Sequence, residues 1–396
     1  MGAGLKKALK NAFKDFVFDS YLPGIYRRAA AKGCVDVRKV VFVEVREGEL
    51  SESFRLVHDR LAADERCDVS VHYLRESSVS LFEYARNCKD MLKDVATARV
   101  VLLNDASNVI SCVPMRKETK VIQLWHACGA FKKFGMSTAD KIFGGSREDK
   151  RRHPFYGNLS LVTVSSPEVA WAYVEAMDLG DTPEIVQALG TPRTDVFFDG
   201  GFLRSSRAKV EAMHPHVGER KILLYAPTFR GTVAKAQAPD RLDARLMKER
   251  LGGEWALVIK HHPFVRQLPE IPADCADFAS YATQDETISE LLAAADACVS
   301  DYSSLVFEYS LLDRPMAFFA YDQDDYDDWR GFYYDYEEFT PGPVVKTTEE
   351  LADFVAHAEE RYDAACVAVF RKKFMSACDG HVADRVCDEI CGGKRI

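Results

Sequence analysis

The sequence predicts an α/β protein in two halves, each built on a parallel, doubly wound sheet. β-Branched apolar runs alternate with helical stretches from residue 38 to residue 322, an order typical of parallel strands joined by helices. The chain has 396 residues, 47% of them hydrophobic, which is enough for two domains with buried cores. A polar, charged stretch at 201–220 separates two series of strands. We therefore expect the halves to meet near residues 196–220.

The first half contains six predicted strands with helices between them. The helix after the fifth strand is expected to start at Ser166, because serine caps helix N-termini. The predicted strands are RKVVFVEV (38–45), CDVSVHYL (67–74), ARVVLLND (98–105), TKVIQLWH (119–126), LSLVTVSS (159–166) and EIVQALG (184–190), and the predicted helices are 51–64, 80–98 and 166–178.

The second half contains four predicted strands. A glycine follows Leu251 as a helix stop, and Pro263 ends the second of these strands. The predicted strands are KILLYAPT (221–228), EWALVIKHHP (254–263), ACVSDYSS (297–304) and PMAFFAYD (315–322), and the predicted helices are 241–252, 287–296 and 305–315.

The charge is distributed unevenly. The net charge is −9, yet residues 1–40 hold nine Lys or Arg against three Asp. An acidic body excludes a nucleic-acid-binding scaffold, and a basic arm indicates a local anionic partner.

The segment LKKALKNAFKDFVFDSYL (5–22) has an apolar arc at helical spacing. Two interpretations stay open: a helix lying on an anionic membrane surface, or a helix packed on its own domain. The arc consists of Leu5, Leu9, Phe13, Phe16 and Val17.

Ligands of doubly wound sheets bind beyond the carboxyl ends of the strands, so the residues that follow the strands are the candidates for function. His126 is either a packed histidine or a general base for a hydroxyl nucleophile. Arg230 either forms a surface ion pair or holds a phosphate in its planar fork. Together the candidates predict a phosphoanhydride site in a cleft between the halves. They are His126, Thr228, Arg230, His261, His262, Asp301, Ser303 and Ser304.

Two of these candidates carry further alternatives. Ser303 and Ser304 precede a predicted helix, where hydroxyls either cap the helix or donate to a phosphate. His262 is either structural or a donor to a phosphate oxygen.

Several common sites are excluded or disfavoured. The sequence has no GxGxxG after a strand, no GxxxxGK[ST] and no HExxH. The acidic run at 322–331 favours a solvated loop over a metal site. The odd count of 11 cysteines is typical of free thiols, and the tail group Cys378, His381, Cys387 and Cys391 favours buried thiols over zinc. We predict no metal site and no required cofactor, and Mg²⁺ is not indicated.

Six ordered blocks show that the chain resembles the CDP-glycerol glycerophosphotransferase family of teichoic acid synthesis. The tail FMSACDGHVADRVCDEI is also similar to the family's closing pattern. Many members have Gly-Thr-Pro where this chain has Ala127, Cys128 and Gly129, which puts the acceptor specificity in question. The blocks are VIQLWHACGAFKKFG (121–135), ALGTPRTDVF (188–197), LLYAPTFRG (223–231), KHHPFV (260–265), SDYSSLVFEYSLLDRPMAFFAYDQDDY (300–326) and RGFYYDYEEFTPGPV (330–344).

The resemblance implies a glycosyltransferase-B-like fold, with two Rossmann-like domains facing a cleft. We assign residues 1–32 to a basic amphipathic arm, 33–205 to an acceptor-side domain and 206–396 to a domain that binds the CDP-polyol. The implied reaction transfers glycerol phosphate from CDP-glycerol to a hydroxyl of a lipid-linked saccharide or polyol-phosphate acceptor, with release of CMP. Such an acceptor implies a cytoplasmic protein attached to the inner face of the membrane.

The resemblance also implies roles for individual residues. His126 is expected to act as general base and His262 as the second catalytic histidine. Asp301, His261 and Arg330 are expected to support the site, and Glu308, seven residues before Pro315, to bind the ribose of the donor. The donor phosphates are assigned to Thr228, Arg230, Ser303 and Ser304.

Three alternatives remain at this stage: a CDP-ribitol ribitolphosphotransferase or related polymerase, a nucleotide-sugar glycosyltransferase, and a nucleotide-binding scaffold. The sequence does not separate a primase from a polymerase, although the absence of room for a large extra domain favours a single-addition enzyme or a short-form polymerase.

Overall fold

Two six-stranded parallel sheets form the molecule in the computed structural model. The structure describes residues 9, 11–76, 78–141, 144–232, 235–239 and 241–392, with the backbone alone at 327–329. The first sheet has the strand order β2-β1-β3-β4-β5-β6, and the second has the order β12-β11-β10-β7-β8-β9. The prediction of two doubly wound α/β halves is therefore confirmed.

All ten predicted strands are present, and two short edge strands, β9 and β12, were not predicted. They have three and two residues, which is too short for a period of two to show in the sequence. The strands are β1 Asp36–Glu44, β2 Asp68–Tyr73, β3 Ala98–Leu103, β4 Lys120–Gln123, β5 Leu161–Thr163, β6 Val186–Gln187, β7 Lys221–Tyr225, β8 Trp255–Ile259, β9 Ala279–Tyr281, β10 Ala297–Ser300, β11 Met316–Phe319 and β12 Val344–Val345.

Helices cover both faces of each sheet, which is why central strands such as β8 are buried at every residue. The α-helices are α1 Leu22–Ala30, α2 Glu52–Ala62, α3 Leu81–Val95, α4 Asn108–Ser111, α5 Arg147–Arg152, α6 Ala170–Ala176, α7 Gly200–Met213, α8 Ala244–Leu251, α9 Ile288–Ala294, α10 Leu305–Tyr309, α11 Gln323–Trp329, α12 Tyr336–Phe339, α13 Thr348–Ala356, α14 Ala358–Arg361, α15 Ala364–Phe374 and α16 Val382–Cys391.

The last helix, α16, returns to the first sheet. Its apolar face packs against β1 and α2, and the Asp195 carboxylate accepts hydrogen bonds from the backbone N–H groups of Val382 and Ala383 at 3.0 and 2.8 Å. Gly190 has a φ of +98°, and a Cβ there would collide with Ala377 and Val382. The block at 188–197 thus anchors the C-terminal helix. The predicted division assigned all residues after 205 to the second domain, whereas α16 packs on the first.

The N-terminal segment packs on the first domain through one face. Leu22 and Tyr26 of α1 are buried in the same cluster as Met91 and Leu92 of α3. Leu9, Phe13 and Phe16 remain 55–60% exposed. Leu5, Lys6, Lys7 and Lys10 lie outside the described residues. None of the helices in the described part of the chain has the length and apolar character needed to cross a bilayer.

A seam joins the two domains at the loop after β4. Lys132 forms an antiparallel bridge with Phe332, and the Lys133 N–H donates to Gly331 O at 2.9 Å. Gly129 has a φ of +61°, and a Cβ there would collide with the ring of Phe307 from α10. This close packing explains why a glycine occupies that position, and it brings the two sheets together around one cleft.

Candidate active site

The cleft is lined by residues that follow central strands of both sheets. Asn104 and His126 follow β3 and β4, whereas Thr228, His262 and Asp301 follow β7, β8 and β10. The His126 ring is close enough to His262 to contribute to the electrostatic potential there. The structure therefore brings the predicted strand-end residues of the two domains together.

The His126 ring is oriented by two contacts. Its Nδ1 lies 2.9 Å from Asn104 O, and its ring stacks on Trp125 at a centroid distance of 4.4 Å. A carbonyl oxygen can only accept, so Nδ1 carries the proton and Nε2 keeps a free lone pair. The exposed ring thus presents a basic nitrogen to the cleft.

Asn104 is held in turn by a buried carboxylate that sequence reasoning missed. Glu44, at the end of β1, accepts from the Ser51 N–H at 2.7 Å and from the Asn104 side-chain amide. Burial raises the pKa of Glu44, against the lowering effect of these hydrogen bonds. The available signal was position alone, since Asn104 is the next-to-last residue of the run ARVVLLND and His126 is the last residue of TKVIQLWH.

His262 has the opposite tautomer. Its Nδ1 accepts the Phe264 N–H at 3.2 Å, so the proton of the neutral ring is on Nε2 and can be donated. Loss of hydration between the two domains, together with the positive charges of Lys132, Arg330 and Arg46, lowers the pKa of His262 to about 4. At neutral pH His262 is therefore an uncharged hydrogen-bond donor.

Arg230 does not have the free guanidinium that a phosphate fork requires. Its Nε and Nη2 bind Asp322, with Nη2 2.9 Å from Oδ1, and its Nη1 lies 3.0 Å from Asp301 Oδ2. These carboxylates raise the pKa of Arg230, although burial opposes them. Asp322 belongs to the acidic run predicted as a solvated loop, and in the structure its carboxylate is an internal counter-ion.

The loop between β10 and α10 is shaped by Asp301. The buried carboxylate accepts the Thr228 N–H at 2.8 Å and the Tyr302 N–H at 2.6 Å. Ser303 Oγ accepts weakly from the Leu305 N–H at 3.5 Å, and Ser304 makes no side-chain capping bond within the described chain. The two hydroxyls are thus only weakly committed to capping.

Thr228 Oγ1 and His261 Nδ1 are among the polar atoms of the site that are buried without a hydrogen-bond partner within the described residues. Burial also lowers the pKa of His261 to about 4. Unpartnered buried polar atoms are costly, so a ligand that bonded them would gain affinity.

Glu308 is placed differently from its predicted role. Its carboxylate is 1% exposed and forms an ion pair with Arg193 of the first domain. A ribose hydroxyl could reach it only after that ion pair opened, so ribose binding stays a prediction. Arg193 lies within the block ALGTPRTDVF, and no feature of the sequence indicated its partner.

Lys132 and Arg330 add positive charge to the cleft. Burial, together with the nearby Arg330 charge, lowers the pKa of Lys132 to about 7. The Lys132 Nζ lies 6.0 Å from the Tyr326 ring centroid, and Arg330 Nε donates to Lys133 O at 3.0 Å. The cleft therefore combines cations, hydroxyls and two imidazoles, which suits a diphosphate.

Metal-ligating groups lie elsewhere. Within the described residues, one cluster could hold a metal ion: Asp64, Cys67 and Cys391. Cys67 precedes β2 and is therefore at the amino end of the first sheet, away from the cleft. Cys378 and Cys387 are buried, whereas the His381 side chain is 75% exposed.

Comparison with known proteins decides the family. The model of the CDP-glycerol:poly(glycerophosphate) glycerophosphotransferase family matches residues 25–392. The chain belongs to this glycerophosphotransferase family. It is accordingly an enzyme of the teichoic acid phosphotransferases, which act in cell-wall synthesis.

Glycerophosphotransferase relatives of both polyol types are similar to the chain. The teichoic acid ribitol-phosphate primase of Bacillus spizizenii is 34% identical over 92% of this chain and 94% of its own length. The poly(ribitol-phosphate) polymerase of the same organism is 34% identical over 89% of this chain and 56% of its own length. The glycerol-phosphate primase of Bacillus subtilis is 26% identical over 89% of this chain and 88% of its own.

Solved structures agree with the fold of the glycerophosphotransferase. A variant of the wall teichoic acid polymerase TagF soaked with CDPG superposes with a TM-score of 0.77 at 19% identity, covering 98% of each chain. The UDP-GlcNAc 2-epimerase of Neisseria meningitidis superposes with a TM-score of 0.58 at 12% identity, over 90% of this chain and 100% of that one. The glycosyltransferase-B-like architecture is therefore confirmed.

Proposed function

We propose that the enzyme transfers a polyol phosphate from a CDP-polyol to a hydroxyl of a lipid-linked acceptor and releases CMP. The observation that carries this proposal is the pair of imidazoles with opposite tautomers in a cationic cleft. His126 offers a lone pair and His262 offers a proton, which are the two functions needed at the two ends of an in-line displacement.

His126 is the general base. Its Nε2 takes the proton of the acceptor hydroxyl while the hydroxyl oxygen attacks the β-phosphorus of the donor. The new bond joins that oxygen to phosphorus, and the bond between phosphorus and the bridging oxygen breaks. Asn104 O holds the Nδ1 proton and so stabilises the imidazolium that forms. The proton leaves His126 to solvent after CMP departs.

Charge on the leaving CMP is stabilised from the second domain. His262 Nε2 and the hydroxyls of Ser303 and Ser304 donate to the diphosphate oxygens, and Lys132 and Arg330 supply positive charge. Thr228 Oγ1 contributes a further donor. Arg230 acts indirectly, because its ion pairs with Asp301 and Asp322 keep this loop in place. No step of this scheme is routed through a metal ion.

Ribitol is the polyol favoured by the relatives. The ribitol-phosphate primase matches nearly full length at 34% identity, compared with 26% for the glycerol-phosphate primase of Bacillus subtilis. CDP-glycerol, which the sequence resemblance implied, is the second candidate.

The donor is tested by measuring kcat/KM for CDP-ribitol and CDP-glycerol with the same lipid-linked disaccharide acceptor. A preference for CDP-ribitol of tenfold or more supports the ribitol proposal. A reversed preference assigns glycerol. Release of CMP from neither donor contradicts the proposed function.

A pH dependence follows from Lys132. Its ammonium is charged below about pH 7 and neutral above it, so attraction of the anionic donor weakens as pH rises. We expect kcat/KM to fall above pH 7 in the wild type. In Lys132→Arg, which stays charged, this fall should disappear. Lys248→Arg, at a partly exposed lysine of α8 that is ion-paired with Asp277, should keep it. A fall that persists in Lys132→Arg would contradict the assignment.

The N-terminal segment supports attachment to the inner face of the membrane. Leu9, Phe13 and Phe16 are spaced i, i+4, i+7 and point away from the domain, so their apolar side chains can enter a lipid interface. We expect Phe13→Asp combined with Phe16→Asp to abolish sedimentation with vesicles containing one-third anionic phospholipid. Val369→Asp, at a 68% exposed valine of α15, should not. Equal sedimentation of both variants would rule out this surface.

A further inference from the structure

Arg193 lies between the two domains and contacts both. It follows β6, in the 3₁₀ turn Pro192–Phe198. Its Nη1 donates to His126 O at 3.1 Å, and its Nε binds the Glu308 carboxylate of α10. The exposed fractions of the two side chains are 12% and 2%, so this is a buried ion pair that spans the cleft wall.

The peptide that Arg193 holds is in a loop that needs support. Trp125 has a φ of +61°, a left-handed conformation that is unfavourable for a bulky residue. The Trp125 N–H donates to Gln123 Oε1 at 3.2 Å. The carbonyl oxygen of the following residue, His126, accepts from Arg193. A strained backbone keeps its conformation only when surrounding contacts enforce it. Arg193 supplies such a contact directly at the catalytic histidine.

The counter-ion of Arg193 comes from the donor side. α10 begins at Leu305, immediately after Ser303 and Ser304, and Glu308 lies one turn further. The same short helix therefore follows the proposed donor-phosphate ligands and carries the carboxylate that holds Arg193. The contact forms only when the two domains are apposed as they are here.

We propose that Arg193 is a positioning residue, which aligns His126 when the donor-binding domain supplies Glu308. The kinetic effect expected of Arg193 rests on the proposed function. The proposal adds that contact between the two domains orients the general base.

The test separates positioning from stability. Arg193→Met alone leaves Glu308 buried without its partner, so we expect both the melting temperature and kcat to fall. In the double variant Arg193→Met with Glu308→Met no charge is left unpaired, and the melting temperature should recover. kcat should stay lower than wild type by about 10²-fold, with KM for the donor changed less than threefold.

The outcomes are distinct. Recovery of kcat together with the melting temperature in the double variant would show a purely structural ion pair and overturn the proposal. Arg60→Met, which removes an ion pair between α2 and α16, serves as a control and should keep wild-type kcat.

A second readout does not depend on turnover. Long-range ¹H–¹⁵N spectra of the histidine rings should show the Nδ1-protonated tautomer for His126 in the wild type and a tautomer mixture in the double variant. An unchanged tautomer would contradict the proposal. If the wild type turned over neither CDP-polyol, the proposed function would fail, and these spectra would still decide the role of Arg193.

Discussion

Replacing His126 with asparagine is expected to lower kcat for CMP release by about 10²–10⁴-fold, the usual contribution of a general base. Asparagine can keep the hydrogen bond to Asn104 O through its amide, but it has no basic nitrogen in place of Nε2. KM for the CDP-polyol should change less than threefold, because the donor lies against the other domain. The measurement is steady-state CMP release at saturating acceptor.

A matched control variant gives this prediction a second criterion. His381→Asn, at a histidine whose side chain is 75% exposed, should behave as wild type. A His126→Asn enzyme with wild-type kcat would show that another group is the base.

Replacing Arg230 with methionine is expected to lower the free energy of unfolding by about 3–5 kcal/mol, as is typical when one partner of a buried ion pair is removed. Asp301 is almost fully buried and Asp322 largely so, and both would lose their counter-ion. Chemical denaturation measured at pH 7 by circular dichroism gives the value.

This experiment also separates two roles for Arg230. The sequence suggested a phosphate ligand, which would raise KM and leave stability unchanged. The structure shows an internal anchor, so stability should fall first. Arg245→Met removes the ion pair with Asp274, in which both side chains are exposed, at 66% and 61%, and should leave the free energy of unfolding nearly unchanged. Equal stability of the Arg230 and Arg245 variants would contradict the anchoring role.

The strands of both sheets could be predicted from the sequence because strand formation depends on the local pattern of apolar residues. A run such as RKVVFVEV is β-branched and apolar, as a strand buried on both faces must be, and it forms β1. The same logic selected the candidate positions, because parallel strands end at one edge of a sheet. His126 and His262 were chosen as candidates by this rule.

Pairings across long sequence separations could not be predicted. Arg230 binds Asp322 over 92 residues, and Arg193 binds Glu308 over 115 residues. Nothing in the local pattern shows which carboxylate a guanidinium will meet, since that depends on how the two domains are apposed. For this reason Arg230 was assigned to phosphate and Glu308 to ribose, and Asn104 and Glu44 were not assigned at all.

The most direct test of the central claim is to follow the β-phosphate of the donor. CDP-ribitol and CDP-glycerol carrying ³²P at the β-position are incubated with enzyme and lipid-linked acceptor, and the products are separated. Attack at the β-phosphorus predicts label in the lipid fraction and unlabelled CMP, both abolished in His126→Asn. Label retained in the nucleotide fraction as CDP would mean that the polyol moves without its phosphate, and would contradict the account.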